Sequence, residues 1–344
     1  MSKIQQRNRP PTMHDVARLA GVSQPTVSRV LNGNNTQVPI SDDTRLKVQQ
    51  AVDALGYRPN AVARSLRTQR TQTVALMLAD ISNSFYHPIA RAVQDVARQY
   101  DYEVLISNSD HIYDYEKHFC EIVLRRGVDG AILVPIHLTT KELDAYASQA
   151  HIPFVVLGHH VDHPNMDVVF LDDERATHET THWLITERGH QRIGYMGVPP
   201  VLPPGPRRLR GFNLAMAEAN LEVHPDHILQ GDFTLEGGKR VAQAMVQQGN
   251  LPTALMVAND LMAIGAILAF RDAGLRVPED IAIVGFDNIP EATIVRPTLT
   301  TIAQNPREMG EKLACALFER IENPDITERR VFGTPYELIK RESA

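Results

Sequence analysis

The chain has 344 residues, 43% of them hydrophobic, with 2 cysteines and a formal net charge of −6. That composition excludes a disordered or disulfide-stapled chain and allows two to three domains around a large core. No apolar run approaches the roughly 20 residues of a membrane span, and MSKIQQRNRPP at the start carries no apolar signal-peptide core, so a cytoplasmic protein is expected.

Charge is divided along the chain. Up to Arg70, eleven basic residues stand against four acidic ones, a balance of +7, which leaves −13 for the remainder. A basic arm on an acidic body is an electrostatic footprint for phosphate. Cys120 and Cys315 sit alone in amphipathic stretches and read as packing residues.

Residues 12–32, TMHDVARLAGVSQPTVSRVLN, spell a helix-turn-helix. Thr12 can cap a first helix, Asp15 completes a capping box, and Val16, Leu19 and Ala20 form its apolar face. Ala-Gly-Val at 20–22 supplies the turn. Ser23 caps a second helix with Pro25 in its first turn, where the missing N–H is harmless, while Val27, Val30 and Leu31 turn inward. Gln24, Pro25, Thr26, Ser28 and Arg29 remain outward: an amide and a guanidinium for base edges, hydroxyls for phosphates. The alternative is an ordinary amphipathic hairpin of helices. A third helix follows, capped by Ser41, striped by Leu46, Val48, Ala51, Val52 and Leu55, and stopped at Gly56. After it, YRPNAVARSLR at 57–67 offers Asn60 as the cap of two turns too short to be stable alone.

Past Arg70, apolar runs alternate with helical periodicity. Candidate strands are TVALMLAD (73–80), YEVLIS (102–107), DGAILVP (129–135), PFVVLG (153–158), DVVFLD (167–172), RIGYMG (192–197), TALMVA (253–258) and DIAIVGF (280–286). Such runs predict doubly wound parallel sheets, and the restart near Arg192 predicts two α/β subdomains with ligands beyond the carboxyl ends of the strands. Those ends carry Phe85 and Tyr86 after the first strand, Arg208 after the proline-rich loop, Phe233 before a glycine-rich helix, Asn259 after TALMVA, and Asp287. An arginine and a carboxylate across a cleft can hold vicinal hydroxyls while rings stack, which suits a sugar and equally a nucleobase. Against this, Asp287 and Asn259 could be caps, and the aromatics satellite core. Arg207 and Arg210 read as surface charges.

Two histidine motifs point elsewhere. HETTH at 178–182 matches the H-E-x-x-H zinc pattern, with Glu179 as general base of a metalloprotease. The extended pattern fails, because Ile185 and Arg188 stand where its glycine and third histidine belong. In GHHVDH at 158–163 the ordinary reading is exposed, solvated histidines. No P-loop, nucleophile elbow or complete catalytic constellation occurs.

DVARLAGVSQPTVSRVLNG (15–33) and LGYRPNAVARSL (55–66) resemble the headpiece and hinge of the lac repressor and purine repressor family, and the resemblance runs through the whole chain. It implies an α/β fold: a three-helix headpiece at 1–58, a hinge helix and linker at 59–70, and a periplasmic-binding-protein-like core at 71–344. The first subdomain would take about 71–172 and 304–325, the second about 173–303 with the C-terminal strand, with a final crossing near Leu299 to Asn305. The loop at 32–41 looks longer than is usual in the family. The resemblance implies DNA contacts by Ser23, Gln24, Pro25, Thr26, Ser28 and Arg29, and by Asn60, Ala63, Leu66 and Arg67 of the hinge, with Leu66 wedged in the minor groove. It implies effector contacts by Phe85, Tyr86, His159, Arg208, Phe233, Asn259 and Asp287.

The function so implied is that of a sequence-specific DNA-binding regulator, no enzyme, with no metal or cofactor. A small-molecule effector, a sugar or sugar derivative, controls operator affinity; a purine-type corepressor is the alternative. Its partners would be double-stranded operator DNA, the effector and a second copy of the chain. A homodimer is expected in place of a tetramer, since ELIKRESA follows a predicted strand without a leucine-heptad tail.

Overall fold

Capping chemistry sets the helices of the N-terminal unit, which extends to Thr71. The computed structural model describes residues 11–32, 39–58, 65, 68–158 and 160–344. Helix α1 (Met13–Ala20) starts at a complete Thr12–Asp15 capping box and ends at Gly21, whose φ of +66° is the left-handed conformation glycine takes without strain. Ser23 Oγ accepts from Thr26 N at 3.3 Å to open α2 (Gln24–Asn32), and Ser41 caps α3 (Asp42–Leu55). Val16, Ala17, Val27, Val48, Ala51 and Tyr57 form the core between the three helices.

Two leucines expected in that core are exposed, Leu19 at 56% and Leu46 at 58%. In α1 the inward spacing is Met13, Val16, Ala17 and Ala20, which leaves Leu19 off the stripe. In α3, Leu46 is about 200° around the helix from Val48, on the far side from Ala51 and Val52. The hinge positions Asn60, Ala63, Leu66 and Arg67, and the loop at 33–38, lie outside the described residues.

The second unit, 72–344, is built of βα repeats. Strands β1 (Thr73–Leu78), β2 (Glu103–Asn108), β3 (Gly130–Leu133), β4 (Phe154–Leu157) and β5 (Asp167–Leu171) alternate with α4 (Tyr86–Gln99), α5 (Tyr113–Arg126) and α6 (Thr140–Ala150). After β5 come α7 (Asp173–Thr186), β6 (Ile193–Gly197), α8 (Pro204–Glu218), β7 (Ile228–Gln230), α9 (Leu235–Gln248), β8 (Ala254–Val257), α10 (Asp260–Asp272), β9 (Ala282–Asp287) and β10 (Thr300–Gln304). Helix α11 (Pro306–Glu322), β11 (Val331–Thr334) and β12 (Tyr336–Ile339) complete it.

These strands form two six-stranded sheets, ordered β11-β5-β4-β3-β1-β2 and β12-β10-β9-β8-β6-β7. The pairs are parallel except β12, which runs antiparallel to β10. The inner strands are buried along their length, as helix-covered parallel sheets require. The chain passes from one sheet to the other after β5, again between β10 and α11, and a third time between β11 and β12. The crossing expected to be final, near Asn305, is therefore the second of three. Helices α9 and α10 meet backbone to backbone: a Cβ on Gly265 would stand 2.1 Å from the Leu235 carbonyl oxygen, so no side chain fits there.

Candidate functional site

In each sheet the strand order reverses beside one inner strand, β1 in the first and β6 in the second. The loops leaving such a strand and its neighbour diverge, and a crevice opens at the carboxyl edge. Here the loops after β1, β2, β3, β4 and β5 face those after β6, β7, β8 and β9 across a cleft of about 120 Å³. A single water needs only about 10–15 Å³, so the space suits a small ligand. Phe85, Tyr86, Arg208, Phe233, Asn259 and Asp287 all line this one cleft. His159 lies outside the described residues, and its neighbour His160 lines the wall.

Asp287 ends β9 with φ at +120° and accepts a 2.6 Å hydrogen bond from Gln304 Nε2 at the end of β10. It faces the cleft. Burial pushes its carboxyl up to about 7, against the pull of Arg208 and the Gln304 bond. Tyr86, at the start of α4, has its hydroxyl pushed up by burial and by the carboxylates of Asp287 and Asp80. Phe85 meets the Tyr86 ring edge-on at 5.1 Å.

Arg208, in the first turns of α8, stacks its guanidinium 3.6 Å above the Phe286 ring and donates to the Ala258 carbonyl. Its Nε is 3.4 Å from Asp173. Arg207, read from sequence as a surface charge, is instead a cleft residue bound to both oxygens of Asp173 at 2.7 and 3.1 Å. Arg210 does lie outside, paired with Glu174. Asn259 is largely committed: Oδ1 accepts from Met262 N at 3.0 Å as the cap of α10, and Nδ2 donates to the Phe233 carbonyl at 2.9 Å. It thereby holds Phe233, whose φ is +66°, against the cleft.

Sequence reasoning missed Asn83, His111, His160, Asp173, Arg207 and Gln304 as cleft residues. Asn83 and Asp173 had a usable signal, because each lies just beyond a strand end. Two histidines of GHHVDH, His160 and His163, are not solvated as expected. His163 is 8% exposed and its Nε2 lies 2.9 Å from Asp144, while His160 is half-buried in the cleft wall.

On the headpiece, Ser23, Gln24 and Pro25 of the turn and α2 are exposed, and Thr26, Ser28 and Arg29 are half-buried. Ser23 and Thr26 hydroxyls share a 2.8 Å hydrogen bond, so they act first as a cap. The HETTH residues lie on α7. His178 Nε2 is 2.7 Å from Glu218, and Glu179 is taken by Arg175 at 2.8 Å and the Tyr336 hydroxyl at 2.9 Å. Among the described residues no group of three or more His, Cys, Asp or Glu side chains could hold a metal ion, and no helix is long and apolar enough to cross a membrane.

Comparison with known proteins bears on both units. Residues 12–60 match the bacterial regulatory proteins of the lacI family, and 184–344 match the periplasmic binding protein-like domain. Catabolite control protein A of Priestia megaterium is 36% identical over 334 residues, 96% of this chain and 98% of that protein. The lac repressor dimer bound to operator and the anti-inducer ONPF superposes with a TM-score of 0.83 at 27% identity, covering 97% of this chain and 99% of that one. The transcriptional regulator CelR in complex with cellobiose gives 0.72 at 30% identity, covering 97% and 100%. A helix-turn-helix headpiece, two parallel-sheet subdomains and relatives spanning nearly the full length agree: the chain belongs to the lacI family of bacterial regulatory proteins.

Proposed function

We propose that this regulator binds a twofold operator as a homodimer, and that a sugar or sugar derivative held in the core cleft sets its affinity for DNA. The observation that carries the effector reading is the cleft itself, where Arg208 and Asp287 stand with the rings of Phe85, Tyr86 and Phe233. A guanidinium and a carboxyl can take vicinal hydroxyls from two sides while rings cover the apolar face of a pyranose. The cellobiose bound by CelR supports this chemistry. Asn259 positions Phe233, and His159 is a further candidate from sequence.

On the DNA side, Gln24 and Arg29 read base edges, Ser23, Pro25, Thr26 and Ser28 flank them against the backbone, and Asn60, Ala63, Leu66 and Arg67 of the hinge engage the minor groove. A twofold operator calls for a twofold protein, as in the operator-bound lac repressor dimer. Action on operator DNA places the protein in the cytoplasm, and no residue is assigned a catalytic role. A ligand bridging the two sheets biases the angle between them, with the three crossings absorbing the change.

The test is a gel shift with the operator selected from random sequence. Arg29→Ala is expected to lose about 1–3 kcal/mol on that site and much less on random DNA. Equal losses on both would make Arg29 a phosphate contact only. Light scattering should return about twice the 38.4 kDa chain mass at micromolar protein; a stable monomer would contradict the operator geometry.

A further inference from the structure

The first-sheet wall of the cleft holds buried polar atoms that are poorly satisfied. Neither ring nitrogen of His160 makes a well-formed hydrogen bond, the Pro135 carbonyl being its one protein acceptor, and Nδ1 of His111, in the loop after β2, is buried without a partner. Both rings line the cleft. The chain makes room for the first: Gly158 has φ +133°, and a Cβ there would stand 2.8 Å from the His160 ring. Buried polar atoms are ordinarily paired, and the exceptions call for an explanation such as an absent ligand.

We propose that the effector is an uncharged sugar and that His160, with His111 on the same wall, reads its hydroxyl groups. This rests on taking the cleft as the effector site. Charge selects the ligand class. Among the described residues lining the cleft the permanent cations are Arg207 and Arg208, and both guanidiniums are drawn to Asp173 while Asp287 lies within the field of Arg208. Arg207 spends its guanidinium on both oxygens of Asp173, and Arg208 is shared between Asp173 and the Ala258 carbonyl, so neither stands as an uncommitted cation for a phosphate or a sugar acid.

The imidazoles suit the same class. Burial, with Arg207 nearby, lowers the His160 pKa to about 4, and the Pro135 carbonyl beside the ring only partly offsets this. The ring is therefore neutral at pH 7, with one N–H to donate and one bare nitrogen to accept. A pair of sugar hydroxyls can use both, one accepting and one donating, whereas a phosphate dianion has no proton to give and can use only the N–H. Around the rings, Val134, Ile136, Leu157 and Phe170 offer apolar surface to the C–H faces of a sugar.

Calorimetry on the full chain decides it, with D-glucose, D-ribose and cellobiose set against glucose 6-phosphate, ribose 5-phosphate and gluconate. The expected result is that at least one neutral sugar binds and that its anionic counterpart is weaker by about tenfold or more. His160→Leu should weaken that sugar by about tenfold, because it removes donor and acceptor together, and His160→Gln should stay within about threefold because an amide supplies both. Should leucine at 160 fail to fold, His111→Leu is measured in its place with the same expected direction. An anionic ligand binding more tightly than its neutral parent overturns the proposal. So does unchanged affinity in His160→Leu when Asp287→Ala has lost binding, an outcome that leaves the cleft reading intact. If none of the six binds the wild-type protein, the sugar reading of the cleft falls and this proposal with it.

Discussion

Asp167→Ala is expected to lower the stability of the core by about 3–5 kcal/mol, and its thermal midpoint by on the order of 10 °C. Asp167 opens β5 and is 0% exposed, yet it carries two arginines. Arg320 of α11 reaches both of its oxygens at 2.7 Å, and Arg330 adds its backbone N–H at 2.9 Å and Nη2 at 2.6 Å. The same guanidiniums donate to the carbonyls of Ile326, Glu328 and Ala316, so the turn leading from α11 into β11 is organised on one carboxylate. Truncation strands two cations around an empty acceptor, the costly way to break a buried pair. Burial alone would raise the Asp167 pKa, but the hydrogen bonds from Arg320 and Arg330 outweigh it and hold the carboxyl below its ordinary value of 3.8. A depressed carboxylate stabilises the folded state above the unfolded value and ceases to as pH falls through the folded one. The gap between wild type and variant should therefore be full at pH 7 and close below about pH 4. Thermal melts at the two pH values check this; a midpoint change under about 2 °C at pH 7 would mean that the network adds little.

The headpiece was legible because caps and turns are local chemistry: Thr12, Gly21, Ser41 and Gly56 do in the structure what their types predict. Most inner strands were legible as apolar runs buried on both faces. Strand β7 was missed because Ile228-Leu229-Gln230 is three residues on a half-exposed edge, and the inner strand β10 because Thr300, Thr301 and Gln304 make its sequence polar although both threonines are buried. Neither leaves an apolar run or a period. Within the cleft, strand-end positions pointed to Tyr86, Arg208 and Asp287, but adjacent residues of like type could not be told apart. Asp172 caps α7 through Arg175 N while Asp173 turns into the cleft, and which of the two does so is settled by where Arg207 arrives from α8. His160 was hidden because a loop has no periodicity, and its place depends on the glycine two residues before it.

Asp287→Asn should separate ligand binding from stability. The wild-type carboxyl titrates near 7 in the folded protein against an ordinary 3.8, because burial disfavours the charge more than Arg208 and Gln304 favour it. Between those two values the folded state holds a proton that the unfolded chain has released. The group's contribution to stability is thus complete below about pH 4 and declines as pH rises toward 7. Asn carries no charge at any pH and can still accept from Gln304 through its amide oxygen, so the empty variant should match wild type near pH 4. At pH 8 it should exceed wild type by a few kcal/mol, on the 1.36 kcal/mol per pH unit scale. Asp260, buried behind it and itself raised by burial and by the Asp287 charge, should ionise more readily once that charge is gone. Binding should move the other way. A sugar hydroxyl donating to the ionised carboxylate makes a charge-assisted bond worth about 1.5–3 kcal/mol, so the variant should bind roughly 10–100-fold more weakly at pH 8. Wild-type affinity should rise by up to about tenfold per unit as pH climbs toward 7 and flatten above, with the Tyr86 hydroxyl, raised by burial, staying protonated across that range. Melts and calorimetry at pH 6 and 8 on both proteins carry the test: a variant no more stable than wild type at pH 8, or one that keeps full affinity, would show that Asp287 is neither the strained nor the binding group of this cleft.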